Sequence, residues 1–248
     1  MSRPRIVRLD RKLVELGLAA DHDAAAALIL GGVVEVDGLV HRGAAAQIRT
    51  DQRVRLRPAE TPWVSRGALK LDGVLDPLGV AAAGRICADL GASTGGFTEV
   101  LLRRGAARVY AVDVGRELLA WRLRHDPRVV NLEGTNARHL DALPEPPSLI
   151  VGDLSFISLK LILPAIHRLL GAGGEAVILV KPQFEASRDE IAPGGRVEGE
   201  PREAAIRLVR SQASAAGFDV IAGLDSPISG AVSGNVEHFL HLRPRAAT

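Results

Sequence analysis

Five short apolar runs, at 86–90, 109–112, 129–132, 149–153 and 176–180, alternate with stretches of helical periodicity, and this alternation restricts the fold more than any other feature. Helical patterns occupy 98–104, 117–123, 159–170 and 203–216, another surrounds Leu69, Val74 and Leu78, and a last strand is expected at 238–242. Strands too apolar to keep a wet face, interleaved with amphipathic helices, predict an α/β fold: a mostly parallel, Rossmann-like sheet with helices on both faces.

The first 57 residues have a different texture and predict a small α+β domain. Leu9, Leu13 and Leu16 follow helical spacing up to Gly17, a left-handed cap. Asp21 is a good N-cap for a second helix at 24–30, residues 33–40 predict a hairpin turning on Asp37-Gly38, and 53–56 alternates as a strand. Residues 57–63, with Pro58 and Pro62, lose all periodicity and predict a linker. Arg3, Arg5, Arg8, Arg11 and Lys12 crowd the amino terminus against a single acid, Asp10, which suits phosphate; the net charge of +2 alone would say little.

A 47% hydrophobic content supports a real core, yet no run reaches the roughly 18 apolar residues of a spanning helix. A soluble cytoplasmic protein with no membrane partner is expected. One cysteine, Cys87, excludes an internal disulfide and a cysteine-based zinc site, and its apolar strand predicts a buried thiol. The histidines form no H-x-x-x-H pair, so no metal is expected.

The chemistry gathers where strands end. The first apolar run passes through Asp89-Leu-Gly-Ala-Ser-Thr-Gly-Gly-Phe97 into a helix, and the second ends at Asp113 about twenty residues on. Glycines let backbone approach a ligand, and an acid at that spacing can accept both ribose hydroxyls, a pair of features that points to a nucleoside cofactor. Asp89 opens the loop with negative charge, which repels a pyrophosphate and welcomes the sulfonium and amino group of S-adenosylmethionine. Gly91-Ala-Ser-Thr-Gly95 also satisfies the G-x-S-x-G hydrolase pattern, but no HGGG-type oxyanion segment precedes it. Asp153 and Lys181 each directly follow an apolar strand, so both charges should reach the same mouth.

Longer motifs sharpen this reading. Trp63-Val-Ser-Arg-Gly-Ala, the Asp89 loop continued to Leu102, Thr135-Asn-Ala-Arg, Asp153-Leu-Ser-Phe-Ile-Ser-Leu, Val180-Lys-Pro-Gln-Phe-Glu and Ser233-Gly-Asn-Val-Glu together resemble the TlyA family, known both as hemolysins and as rRNA 2′-O-methyltransferases with an FtsJ-like catalytic domain. The amino-terminal residues, from Arg8-Leu-Asp to Val36-Asp-Gly, resemble the ribosomal-protein-S-four-like RNA-binding domain, although Asp21, His22 and Ala27 depart from its usual basic pattern. The resemblance implies an RNA-binding domain at 1–57, a linker at 58–64 and a methyltransferase domain at 65–248. It implies a catalytic set of Lys70, Asp153, Lys181 and Glu237, with Lys181 as the candidate to remove the proton from a cytidine ribose 2′-hydroxyl. Cofactor contacts would fall on Asp89, Gly91, Ala92, Ser93, Thr94, Gly95, Gly96, Phe97, Asp113, Val114, Thr135, Asn136, Ala137 and Asp153, and Arg66 would join the amino-terminal cations on RNA.

Thr61-Pro62-Trp63-Val64 replaces the Arg-x-Trp-Val of some relatives, which puts any linker coupling in question. The chain lacks the extra carboxy-terminal helix of members that modify both ribosomal subunits, so a large-subunit target is expected. The competing readings are a membrane-active hemolysin and a non-catalytic ribosome-assembly factor.

Overall fold

The computed structural model describes residues 4–30, 32–41, 43, 45–56, 63–230 and 233–245. Two compact units divide the chain: residues 1–65 with 120–122, and residues 66–119 with 123–248.

The first unit carries β1 (Ile6–Arg8), α1 (Leu9–Glu15), α2 (His22–Leu30), β2 (Val34–Val36), β3 (Leu39–Val40), β4 (Gln47–Arg49) and β5 (Val54–Leu56). Asp21 Oδ1 accepts the Ala24 amide at 2.8 Å, the N-cap expected for α2, and Gly17 ends α1 with φ +68°. Asp37 and Gly38 take φ +51° and +86°, the pair of left-handed residues that a tight β2–β3 hairpin requires. Leu9, Leu13, Ala25, Ile29, Val34, Val36 and Ile48 bury together as its core. The β1–β4 pair was not expected from the sequence, because three-residue strands bearing arginines leave no apolar run to read.

The second unit carries α3 (Gly67–Leu75), β6 (Ile86–Leu90), α4 (Gly96–Arg103), β7 (Arg108–Asp113), the second half of α5 (Trp121–Arg124), β8 (Val129–Glu133), β9 (Leu149–Gly152), α6 (Leu163–Leu169), β10 (Glu175–Val180), α7 (Pro182–Glu185), α8 (Gly199–Ala215), β11 (Phe218–Asp225) and β12 (His238–Pro244). Its seven strands lie in the order β11-β12-β10-β9-β6-β7-β8, and β12 runs antiparallel to both its neighbours. All six residues of β10 are buried, as a strand covered on both faces demands. One face packs Leu163 and Ile166 of α6 and Ile206 and Val209 of α8 against Ile150, Ile178 and Leu240.

Three expectations need correction. The helix expected at 117–123 gives way to the four-residue α5, because Glu117 adopts φ +58°, outside the right-handed helical region; Glu133 Oε1 accepts the Leu118 and Leu119 amides at 2.5 and 2.9 Å. The helix expected at 159–170 splits into a 3-10 turn, Leu159–Leu161, and α6, with Pro164 in the first turn of α6. Strand β11 was missed, since Phe218-Asp-Val-Ile-Ala-Gly-Leu-Asp225 lies mostly half-buried at a sheet edge.

Candidate active site

Strand order reverses between β6 and β9, and the crevice outside the carboxyl ends of strands at such a reversal is where open α/β sheets bind ligands. Here Gly91 takes φ +82°, and a Cβ on it would stand 2.9 Å from the Asp153 carbonyl oxygen. The loops after β6 and β9 thus meet at a distance that excludes a side chain. Gly91→Ala is expected to cost about 1–3 kcal/mol of stability through strain and displaced backbone, read by urea denaturation.

The glycine loop is tied to the end of β7. Gly91 and Ala92 donate their amides to the Val112 carbonyl at 2.8 and 3.1 Å, and Ser93, at φ +48°, donates its amide to Asp113 Oδ2 at 2.8 Å. Asp113 Oδ1 accepts the Gly115 amide at 2.7 Å, the Asp113 carbonyl accepts Thr135 N–H at 2.8 Å, and Asn136 Oδ1 accepts the Arg138 amide at 3.0 Å. Thr135, Asn136 and buried Ala137 therefore lie beside Asp113, next to exposed Val114. Gly95, left-handed at φ +94°, starts α4, with Thr94 and Gly96 flanking it. Phe97, which follows Gly96, is buried, its ring stacked on Phe239 at 6.1 Å.

Asp89 lies wholly buried beneath this loop. Its Oδ2 accepts the Thr98 amide at 2.8 Å and the Thr98 hydroxyl at 2.7 Å, while Oδ1 has no hydrogen-bond partner. Burial outweighs the Thr98 bonds and pushes the carboxyl up to about 7. An orphaned carboxylate oxygen under a loop with no lysine or arginine from 89 to 97 fits a cationic nucleoside and rejects a phosphate. Thr98 was not anticipated; its place in the first turn after the loop was the one available signal.

The four dispersed charges come together. Lys70 Nζ, from α3, lies 2.6 Å from Glu237 Oε2 and 3.5 Å from Asp153 Oδ2, and Lys181 Nζ lies 2.6 Å from Asp153 Oδ1. The result is one row of alternating sign, Glu237, Lys70, Asp153, Lys181. Asp153 and Lys181 follow the parallel strands β9 and β10. Glu237 precedes β12, and because β12 is antiparallel, pairing Val180 with His238, its amino end arrives at the same edge. Lys181 also donates to Ser155 Oγ at 2.6 Å and lies 5.9 Å from the centroid of the Phe184 ring, two partners not anticipated from the sequence. Among the described residues no group of three or more His, Cys, Asp or Glu is arranged to hold a metal ion. Burial pushes the Cys87 thiol to about 12, so it stays protonated and unreactive.

Of the expected RNA contacts, Arg5, Arg8 and Arg11 are exposed, although Asp10 lies 2.6 Å from Arg8. Lys12 is 3.8 Å from Glu15, and exposed Arg66 precedes α3 and donates to the Ser229 carbonyl at 3.5 Å. Arg3 and linker residues 58–62 lie outside the described residues. No helix among the described residues is long and apolar enough to cross a membrane.

Residues 63–243 match the model of the FtsJ-like methyltransferase family. A Mycobacterium tuberculosis protein, 16S/23S rRNA (cytidine-2'-O)-methyltransferase TlyA, is 48% identical over 243 residues, covering 96% of this chain and 90% of its own. A Campylobacter jejuni protein, 23S rRNA (cytidine-2'-O)-methyltransferase TlyA, is 39% identical over 127 residues, 51% of this chain and 49% of its own. A solved structure from Streptococcus thermophilus that carries the hemolysin name superposes with a TM-score of 0.71 at 38% identity, covering 99% of this chain and 90% of its own.

Proposed function

The chain belongs to the FtsJ-like methyltransferase family, among its TlyA members, and on that premise we propose that it methylates a ribose 2′-hydroxyl, of a cytidine, in ribosomal RNA, using S-adenosylmethionine. The observation that carries this reading is the row Glu237, Lys70, Asp153, Lys181, buried at its two ends and half-buried between, beside a glycine loop that Asp89 opens. In the same reading residues 1–57 bind RNA in the cytoplasm through Arg3, Arg5, Arg8, Arg11 and Lys12, residues 58–64 link, and 65–248 catalyse.

Bound over the glycine loop, S-adenosylmethionine would supply a methyl group on a cationic sulfur, which leaves as a thioether. Asp89, Asp113 and the 135–137 turn would hold it through charge and backbone contacts. The ribose oxygen sheds its proton as the new C–O bond forms, and Lys181 receives it on the nitrogen lone pair, entering the step as the neutral amine after its ammonium has given a proton to water. The two N–H groups of that neutral amine are enough for Asp153 and Ser155, which leaves the lone pair for the substrate hydroxyl. Lys70, held by Glu237, keeps the shared Asp153 carboxylate turned toward Lys181.

Asp89 gives this reading a pH signature. Its folded pKa, about 7, lies above the 3.8 of a free side chain, so the cofactor-free fold binds the extra proton, and stability from this group falls as pH rises from about 4 to 7. A cation over the loop favours the ionised form, so S-adenosylmethionine affinity should rise between pH 6 and pH 8. Asp89→Asn should flatten that rise; calorimetric titration at both pH values checks it.

The substrate is tested by incubating purified large and small ribosomal subunits with the enzyme and methyl-labelled S-adenosylmethionine. Label entering large-subunit rRNA is expected, the target named for the Campylobacter relative. Label confined to the small subunit would overturn that choice, and label in neither would overturn the ribosomal reading.

A further inference from the structure

The chemistry proposed above uses only the first residue of Lys181-Pro-Gln-Phe-Glu185. Glu185, the last residue of α7, turns back to the chain after β9. Its Oε2 accepts the Ser158 hydroxyl at 2.7 Å and its Oε1 accepts the Leu159 amide at 2.8 Å. Ser158 in turn caps the 3-10 turn Leu159–Leu161. Burial holds the Glu185 carboxyl above the usual carboxylate range despite these two bonds, so desolvation of a polar group is accepted here to anchor backbone.

That anchor closes a short loop. Asp153 is fixed at one end, its amide donating to the Leu90 carbonyl at 3.1 Å, and Glu185 fixes Ser158 and Leu159 at the other. Between them Ser155 accepts Lys181 Nζ, and Phe156 stands 92% exposed at φ +62°, its ring 5.3 Å from Phe184. A non-glycine residue keeps a left-handed backbone only where its surroundings over-determine it. Phe156 is restrained on one side by the Phe184 ring, and the anchored ends of the loop supply further restraint.

We propose that Glu185 is a positioning residue, a carboxylate that pins residues 154–157 so that Ser155 meets Lys181 and the methyl-accepting side of the site keeps its shape. Lys181 and Glu185 lie at opposite ends of one short helical turn, so a single unit locates both the amine and the loop that orients it. The cofactor loop after β6 meets this one at Gly91 and has further ties of its own, from Ser93 to Asp113 and from Thr98 to Asp89. The inference rests on the methyl-transfer reading given above.

Glu185→Ala is expected to lower kcat on rRNA by about tenfold or more, with KM for S-adenosylmethionine changed by less than about twofold. Amides of 154–159 in the same variant should exchange with deuterium faster, with no cofactor or RNA present. Glu185→Gln keeps an acceptor for the Leu159 amide and a partner for Ser158, and should restore kcat to within about threefold. Unchanged kcat and unchanged exchange in Glu185→Ala would overturn the proposal. So would a glutamine variant as impaired as alanine, or a loss of cofactor binding and global stability in proportion to kcat. If the unaltered enzyme transferred no methyl group to rRNA, the reaction reading would fail, while the exchange measurement would still decide whether Glu185 pins the loop.

Discussion

Lys181→Ala is expected to lower kcat for methyl transfer by about two to four orders of magnitude, the usual contribution of a positioned acid or base, and to leave S-adenosylmethionine affinity within about twofold. The split follows from geometry: Lys181, after β10, is paired with Asp153 and Ser155, which follow β9, whereas Asp89 and Asp113 end β6 and β7 around the glycine loop. Lys181→Arg separates two roles for the same nitrogen. Arginine orients a hydroxyl but does not give up its proton in a protein. Full turnover by the arginine variant would remove the proton-accepting role, and a loss as large as that of alanine would support it. Single-turnover kinetics with saturating cofactor makes the comparison.

Lys70→Met carries the largest expected effect on stability, about 3–5 kcal/mol, because it removes the cation from a buried carboxylate instead of removing the pair. Glu237 is only 3% exposed and its ion-pair partner is Lys70 at 2.6 Å; Asp153 loses its 3.5 Å contact at the same time. Combining Lys70→Met with Glu237→Gln should recover most of that loss, since no isolated charge then remains inside. Urea denaturation of both variants checks the sign: a double variant less stable than the single one would show that the row is held by something other than charge neutralisation.

The buried strands were legible in the sequence because burial on two faces leaves an uninterrupted apolar run. The run at 86–90 was observed as Ile86–Leu90, and 109–112 grew by one residue at each end to Arg108–Asp113. Segments governed by partners distant in sequence were not legible. The 117–123 pattern has helical spacing, yet Glu117 turns left-handed and Glu133, fourteen and fifteen residues downstream, ties the Leu118 and Leu119 amides into a loop. Strand β11 depends on pairing with β12 and not on its own periodicity.

The candidate site divides in the same way. Asp153 and Lys181 follow apolar strands and could be assigned to the sheet's carboxyl edge from that fact. Lys70 and Glu237 could not: one sits on a helix and the other precedes an antiparallel strand, and only the resemblance singled them out. Thr98, Ser155 and Glu185 act through hydrogen bonds that no composition or spacing encodes. Phe97 lies in the loop motif and also serves the core, where its ring packs on Phe239.

The central claim is the reaction, and nucleoside mass spectrometry of large-subunit rRNA treated with enzyme and S-adenosylmethionine tests it most directly. The account predicts a gain of 2′-O-methylcytidine that is absent with Lys181→Ala. A methyl group found on a base, or a gain undiminished by loss of Lys181, would contradict it.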